Sequence, residues 1–281
     1  MSERKHIPRI TTALIPAAGQ GKRLHPHTQH YPKCMIDVNG KPLLAHAIDA
    51  LEANGFTRLV IITGHRHWQI DAFVEQFDTT MEIIAVYNDR YDSTNNIYTL
   101  WLASAWVQEP FLLLESDLIF DPDALSALCC PDRIALDRFD PRIHRGTTAR
   151  ITPDHLLASL NLTGPMGPAD SLYKTVNMYS FSLPTWQKVQ HAMKSRLDDG
   201  HLNVFYELAI RDLVHSGQIE LEMADFSKLW WDEIDSTEDL ARVNRHLAQV
   251  NRHLTQDNRH LTQDNRHLIR KNRYPAPVPD S

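Results

Sequence analysis

A glycine-rich, basic loop near the start of the chain is the segment whose residue types best support chemistry. The apolar residues 12–15 are followed by small residues and then by Gly19-Gln20-Gly21-Lys22-Arg23. Because glycine has no Cβ, the backbone N–H groups of such a loop can point at a ligand, and the adjacent cations add positive charge. The order of these residues predicts a buried strand that leads into a phosphate-binding loop.

Two acidic segments further along the chain have residue types that hold a divalent cation. Asp117 follows Phe111–Leu114, the most apolar short run of the chain, where an acidic side chain would be costly if it were merely buried. Asp235 lies in the segment Glu-Ile-Asp-Ser, just ahead of a predicted helix, and a helix N-cap is the alternative role for it. Two carboxylates on one divalent ion, together with loop cations, would neutralise the negative charge of bound phosphates.

The elements that must position these residues follow an alternating order. Residues 59–64 and 81–86 are β-branched runs, and residues 42–54 carry apolar side chains at helical spacing. Strand, helix, strand, helix, strand is the order of a parallel sheet with helices on both faces, in which ligands bind at the carboxyl ends of the strands. Residues 111–114 are predicted to form a central strand.

The second half of the chain gives weaker signals. Residues 175–183 alternate as in a strand, and residues 203–214 have helical spacing. Residues 137–149 and 164–170 are rich in Arg, Asp, Gly or Pro and are predicted to be loops, which near a site often act as lids.

Composition excludes several classes of function. The 281 residues suffice for one α/β domain with an appendage, and the net charge of −6 argues against a general nucleic-acid binder. The three cysteines form no C-x-x-C pair, which is typical of a reduced, cytoplasmic protein. No run of about 18 apolar residues occurs, so neither secretion nor membrane spanning is predicted.

The tail consists of a seven-residue repeat that starts at Asn244. Leucines fall at one heptad position from Leu240 to Leu268, and an asparagine falls three residues before each following leucine. This pattern predicts a coiled coil with Asn at every a position, which would join copies of the chain, and a solvent-exposed single helix is the alternative. The histidines of the repeat, His246 to His267, are predicted to form a solvated stripe, and the residues after Tyr274 are predicted to be disordered.

The pattern G-x-G-x-R-x-x-P-x-T from Gly19 to Thr28, followed by Pro32-Lys33, resembles the signature of the nucleotidyltransferases. The loop lacks the ending of a Walker loop and the third glycine of a dinucleotide fingerprint. The resemblance covers residues 10–243 and implies a three-layer α/β/α Rossmann-like fold with a mostly parallel, mixed sheet. The remaining segments are then an extension (1–9), a heptad-repeat helix (244–273) and a tail (274–281).

The same resemblance implies roles for individual residues. Asp117 and Asp235 match the family's two Mg2+-binding aspartates, Lys33 its Pro-Lys lysine and Arg23 its loop arginine. Lys22 replaces a small Ser or Thr, so it either enters the phosphate site or faces solvent. The implied nucleotide site comprises Ala17, Ala18, Gly19, Gly21, Lys22, Arg23, Asn95, Asn96 and Ser116.

The acceptor is suggested by two further segments. Residues 92–100, with Asn95-Asn96-Ile97-Tyr98, look like a segment of phosphocholine cytidylyltransferases and their phosphonate-using relatives, for which the nucleotide is CTP. Residues 173–181 resemble the phosphonate branch, which implies 2-aminoethylphosphonate as the acceptor and Lys174 as a partner of its phosphonate oxygens. The aromatic rings of Tyr98 and Trp231 are candidates for cation–π contacts with the amine. The carboxylates of Glu207 and Glu233 are candidates for salt bridges with it.

Other functions remain open at this point. Phosphocholine is the nearest alternative acceptor, and a sugar 1-phosphate is the next. A hypothesis from another class is that the chain is a catalytically silent nucleotide sensor on an oligomerising helix. One observation argues against it, namely the joint presence of Arg23, Lys33, Asp117 and Asp235.

Overall fold

A computed structural model describes residues 9–165, 167–250 and 252 of the chain. The strands are β1 (Thr12–Ala17), β2 (Asp37–Val38), β3 (Lys41–Pro42), β4 (Arg58–Thr63), β5 (Glu82–Tyr87), β6 (Phe111–Leu114), β7 (Leu118–Phe120), β8 (Arg133–Arg138), β9 (Thr148–Ile151), β10 (Leu157–Asn161), β11 (Tyr173–Phe181), β12 (Glu222–Asp225) and β13 (Trp231–Glu233). The α-helices are α1 (Leu43–Ala53), α2 (His67–Gln76), α3 (Asn96–Leu102), α4 (Leu183–Asp198), α5 (Glu207–His215) and α6 (237–250). Within these described ranges, no helix is both long and apolar enough to cross a membrane.

The main sheet is mixed, and its path runs β10-β9-β11-β6-β1-β4-β5. Strand β1 lies between β4 and β6 and is parallel to both, so that Leu14 stands opposite Val60 on one side and Leu113 on the other. Strand β11 is antiparallel to β6, β8 and β9, and β8 extends the sheet through its parallel partner β12. The predicted central strand at residues 111–114 is confirmed.

Helices cover both faces of this sheet because alternate residues of each strand point to opposite sides. In β1, Ala13 and Ile15 join one core cluster, which includes Ile48 of α1. Leu14 joins a second cluster on the other face, which includes Trp186 of α4. The predicted three-layer α/β/α class is therefore confirmed.

Several sequence-based boundaries differ from the structure, and the strand predicted at residues 175–183 is β11, Tyr173–Phe181. Residues 137–149, predicted to be a loop, contain the end of β8 and the start of β9, because Asp137 and Thr148 both pair with Lys174 of β11. The loop proper spans residues 139–147. The helix predicted from residue 203 begins at Glu207.

Helix α6 continues from the globular domain into the first heptad. Val243 is fully buried in a third apolar cluster, against which Leu247 also packs. The Asn244 side chain accepts a hydrogen bond of 2.7 Å from the Asn39 backbone, and the His246 ring stacks on Trp230 with centroids 4.2 Å apart. The prediction of a solvated stripe is thus wrong for His246. The later heptads, the predicted coiled coil and the predicted disordered tail lie outside the described residues.

Candidate active site

A cavity of about 640 Å³ opens at the carboxyl ends of β1 and β6. The glycine loop, the start of α3 and the residues after β6 form its walls. All the residues of the implied nucleotide site line it, namely Ala17, Ala18, Gly19, Gly21, Lys22, Arg23, Asn95, Asn96 and Ser116, together with Lys33 and Asp117. Sequence reasoning missed Tyr91, Thr94, Thr99 and Glu115, which line it as well.

Two glycines shape the loop region of this cavity. Gly21 has a φ of +60°, a left-handed conformation that favours glycine. Gly64, at the end of β4, packs so closely on Ala18 that an added Cβ would lie 2.7 Å from the Ala18 carbonyl oxygen. The same carbonyl accepts a hydrogen bond of 3.0 Å from the His65 backbone, which ties the loop to the neighbouring strand. In the sequence Gly64 only marked the end of a strand.

Lys33 joins the two aspartates that the resemblance singled out. Its Nζ lies 2.7 Å from Asp117 Oδ2 and 2.5 Å from Asp235 Oδ1. Arg23 Nη2 lies 2.9 Å from the same Asp235 oxygen. Although burial lowers the pKa of Lys33, the charges of Asp117 and Asp235 outweigh it and raise that pKa above its ordinary value. The four residues predicted to be catalytic therefore form one charged cluster at the cavity.

Strand pairing explains why two aspartates so far apart in the chain meet. Strand β13 runs antiparallel to β7, with Glu233 opposite Leu118, and the Ile234 backbone donates a 2.9 Å hydrogen bond to the Asp117 carbonyl. Asp117 precedes β7 and Asp235 follows β13, so the pairing of these strands places both carboxylates at the same end.

The helix-cap alternative for Asp235 is not what the structure shows. Helix α6 starts at residue 237, and Ser236 occupies its cap position. Ser236 Oγ accepts a hydrogen bond from the Asp239 backbone at 3.2 Å, while Asp239 Oδ2 accepts one from the Ser236 backbone at 2.9 Å. This reciprocal arrangement is a capping box. The Asp235 carboxylate is therefore left to pair with Lys33 and Arg23.

The donor set of this cluster fits a magnesium ion. Asp117 Oδ1 is buried and has no hydrogen-bond partner among the described residues. Carboxylate oxygens are the ligands that Mg2+ prefers, and it usually keeps several waters and takes substrate phosphate oxygens. In the part of the chain that is described, no group of three or more His, Cys, Asp or Glu side chains could hold a metal. Two aspartates completed by phosphate and water thus match the chemistry expected of this ion.

A second, more buried cluster lies between β11 and β13. Lys174 is only 3% exposed, and its Nζ donates to Glu233 Oε1 at 2.9 Å and to the Thr175 carbonyl at 2.7 Å. The Asn177 amide donates to the same Glu233 oxygen at 2.8 Å. Burial raises the pKa of Glu233, and the charge of Lys174 partly opposes this. Lys174 and Glu233 are thus each other's ionic partners.

Trp231 borders this second cluster. Its Nε1 donates to Asp137 Oδ2 at 2.9 Å, and its ring lies 5.7 Å from Lys174 Nζ. The His144 ring, in the loop that spans residues 139–147, stacks on it with centroids 6.0 Å apart. Trp231 is therefore placed between the Lys174 cluster and a loop.

Tyr98 and Glu207, the two remaining candidate contacts to the acceptor amine, lie in different surroundings. The Tyr98 ring packs on Trp101 and lies 4.9 Å from the Arg90 guanidinium, and Tyr98 is not among the described residues that line the cavity. Glu207, the first residue of α5, is 8% exposed, and its Oε2 is buried without a partner in the described structure. Burial raises the pKa of Glu207 to about 7, which hydrogen bonding and the charge of Lys174 partly oppose.

Comparison with known proteins finds a matching family model and similar proteins. Residues 13–135 match the MobA-like NTP transferase domain. The CMP-5'-(3-aminopropyl)phosphonate synthase of Streptomyces rubellomurinus is 27% identical over 81% of this chain and 37% of its own length. The choline-phosphate cytidylyltransferase of Streptococcus pneumoniae is 33% identical over 38% of this chain and 45% of its own length. The chain thus spans less than half the length of these two relatives.

Two further matches cover nearly all of the similar protein. The 2-aminoethylphosphonate cytidylyltransferase of Lancefieldella rimae is 26% identical over 82% of this chain and 91% of its own length. The solved structure of the CTP:phosphocholine cytidylyltransferase from Streptococcus pneumoniae superimposes with a TM-score of 0.70 at 20% identity, and the match covers 85% of this chain and 99% of that one. The structural match shows the same fold.

Proposed function

On the premise that this chain is a nucleotidyltransferase with a MobA-like NTP transferase domain, we propose that it transfers CMP from CTP to a small aminoalkylphosphonate, foremost 2-aminoethylphosphonate. A phosphonate oxygen of the acceptor attacks the α-phosphorus of CTP. The bond from that phosphorus to the oxygen bridging the α- and β-phosphates breaks, and pyrophosphate leaves with the electron pair. The observation that carries this proposal is the contact of Lys33 with both Asp117 and Asp235 at the glycine-loop cavity.

The side chains of the cavity supply what this displacement needs. The cations of Arg23 and Lys33 can bind triphosphate oxygens, and the loop backbone can approach them closely. Asp117 and Asp235 would hold Mg2+, which when bound supplies positive charge for the phosphates. Lys33 now pairs with these carboxylates, so it is placed to contact a phosphate that enters between them. Such positioning and charge neutralisation account for most catalysis of this reaction type.

The acceptor assignment rests on the relatives and on Lys174. Two relatives that align over more than four fifths of this chain carry aminoalkylphosphonates in their names. An ammonium group has three donors, and Lys174 uses two of them on Glu233 and the Thr175 carbonyl. The third donor is the one proposed to reach a phosphonate oxygen.

A pyrophosphate-release assay tests the proposal. The four nucleoside triphosphates are each combined with 2-aminoethylphosphonate, phosphocholine and glucose 1-phosphate, with and without Mg2+. We expect release from CTP and 2-aminoethylphosphonate only when Mg2+ is present. Release that prefers another triphosphate or a sugar phosphate would contradict the assignment.

The variant Asp117→Asn links this activity to the charged cluster. It removes a negative charge without changing volume, so we expect kcat to fall about a thousandfold or more while the fold survives. The matched control is Asp123→Asn, an exposed aspartate outside the cavity, which should keep wild-type rates. A variant at position 117 that keeps more than a tenth of the wild-type kcat at saturating Mg2+ would refute the role of Asp117.

Phosphocholine is the second candidate acceptor. The observation that favours it is the choline-phosphate cytidylyltransferase with 33% identity over 108 residues. The same assay decides between the two, because the preferred acceptor has the higher kcat/KM.

A further inference from the structure

A group of buried acidic and phenolic side chains lies beside the cavity and plays no part in the chemistry described so far. Glu115 follows β6 and lines the cavity two residues before Asp117. Glu207 and Tyr206 stand at the start of α5, and Tyr179 belongs to β11. The Tyr206 backbone donates a 3.0 Å hydrogen bond to the side chain of Asn96, another cavity residue, which ties the start of α5 to the cavity wall.

Three of these side chains have polar atoms that are buried without partners in the described structure. Tyr179 and Tyr206 are fully buried, and both hydroxyls lack a hydrogen-bond partner within the described residues. Glu207 Oε2 is also buried and has no hydrogen-bond partner among these residues. The Tyr206 hydroxyl interacts electrostatically with the Glu115 carboxylate but makes no hydrogen bond of acceptable geometry within the described residues. Such buried, unpartnered polar atoms are rare in native proteins and costly to stability, which points to a ligand that satisfies them.

The charge of the group points to a cation. No salt bridge of the described structure involves Glu115 or Glu207, whereas Glu233 already pairs with Lys174 and the aspartates already pair with Lys33. A bound cation would relieve the repulsion between these carboxylates.

We infer that Glu115 and Glu207 bind the primary ammonium group of the acceptor, and that the Tyr206 hydroxyl accepts a further hydrogen bond from it. This inference rests on the proposed function, and it assigns the amine to Glu207 rather than to Glu233 or to the aromatic rings. The reason is that a primary ammonium group carries three N–H donors, and carboxylate and hydroxyl oxygens can accept hydrogen bonds from them. A trimethylammonium group has none and is recognised by aromatic faces. The site therefore selects aminoalkylphosphonates against choline esters.

Glu207→Gln and Glu115→Gln test this with a pair of acceptors that differ only in the amine. For 2-aminoethylphosphonate we expect Glu207→Gln to lower kcat/KM at least thirtyfold, which is about 2 kcal/mol. For ethylphosphonate, which lacks the amine, we expect a change of less than threefold. Glu115→Gln should follow the same split, and the exposed control Glu220→Gln should change neither acceptor.

The opposing results are equally specific. An equal loss on both acceptors would mean that Glu207 only supports the fold, and a wild type that uses phosphocholine as well as 2-aminoethylphosphonate would also overturn the inference. If no acceptor is turned over, the proposed function fails, and calorimetric titration with 2-aminoethylphosphonate then decides. Binding that Glu207→Gln weakens at least thirtyfold supports the ammonium site, whereas equal or undetectable binding refutes it.

Discussion

The variant Glu207→Gln is expected to stabilise the fold in alkaline solution and to do so much less in acid. Glu207 is 8% exposed, and burial raises its pKa from 4.5 to about 7. A carboxyl whose pKa is raised on folding favours the folded state when it is protonated. Its contribution is therefore fully present below pH 4.5 and is lost as the pH rises towards 7.

The magnitude follows from the size of this shift. One pKa unit corresponds to 1.36 kcal/mol. At pH 8, where Glu207 is ionised in both states, its burial therefore costs on the order of 3 kcal/mol of unfolding free energy. At pH 5, where it is mainly ionised in the unfolded state alone, the cost is only about 1 kcal/mol. Glutamine has nearly the same shape and does not ionise, so the variant avoids this cost.

Urea denaturation of both proteins at pH 5 and pH 8 checks the prediction. We expect the variant to gain about 2 kcal/mol more over wild type at pH 8 than at pH 5, with unchanged m-values. Glu220→Gln, at an exposed position, serves as the control and should show no such dependence. A stability difference that is the same at both pH values would refute the reasoning.

Three further predictions concern the site and the tail. Asp235→Asn should abolish turnover and weaken the dependence on Mg2+. It should not lower Tm by more than a few degrees, because Ser236 and not Asp235 caps α6. Normal turnover would refute the two-aspartate site. Lys174→Met should raise KM for the phosphonate about ten- to a hundredfold and leave KM for CTP nearly unchanged, whereas equal effects would place Lys174 on the triphosphate. Deleting residues 251–281 should leave kcat intact, because every proposed site residue precedes position 240. If the heptads join copies of the chain, the deletion should also reduce the number of chains in the assembly, as measured by light scattering. An unchanged number of chains would contradict the coiled coil.

Local sequence pattern is enough to predict several elements and site residues of this protein. The apolar run at residues 111–114 had to be a buried strand, and the glycines and cations from Gly19 to Arg23 had to form a loop at a strand end. Short-range periodicity and residue type carry this information, since they fix how a segment can bury its side chains. The same local argument applies to Glu115, which follows the same strand as Asp117.

Which distant side chains meet depends on how separate segments pack in the folded protein. Asp235 reaches Asp117 because β13 pairs with β7, and it is free to do so because Asp239 serves the helix start. Glu207 and Glu233 were equivalent candidates in the sequence, and they differ because Lys174 forms an ion pair with Glu233 and, within the described residues, none with Glu207. Such differences depend on long-range pairing and burial, which no local pattern encodes, because each arises only where separate segments pack together.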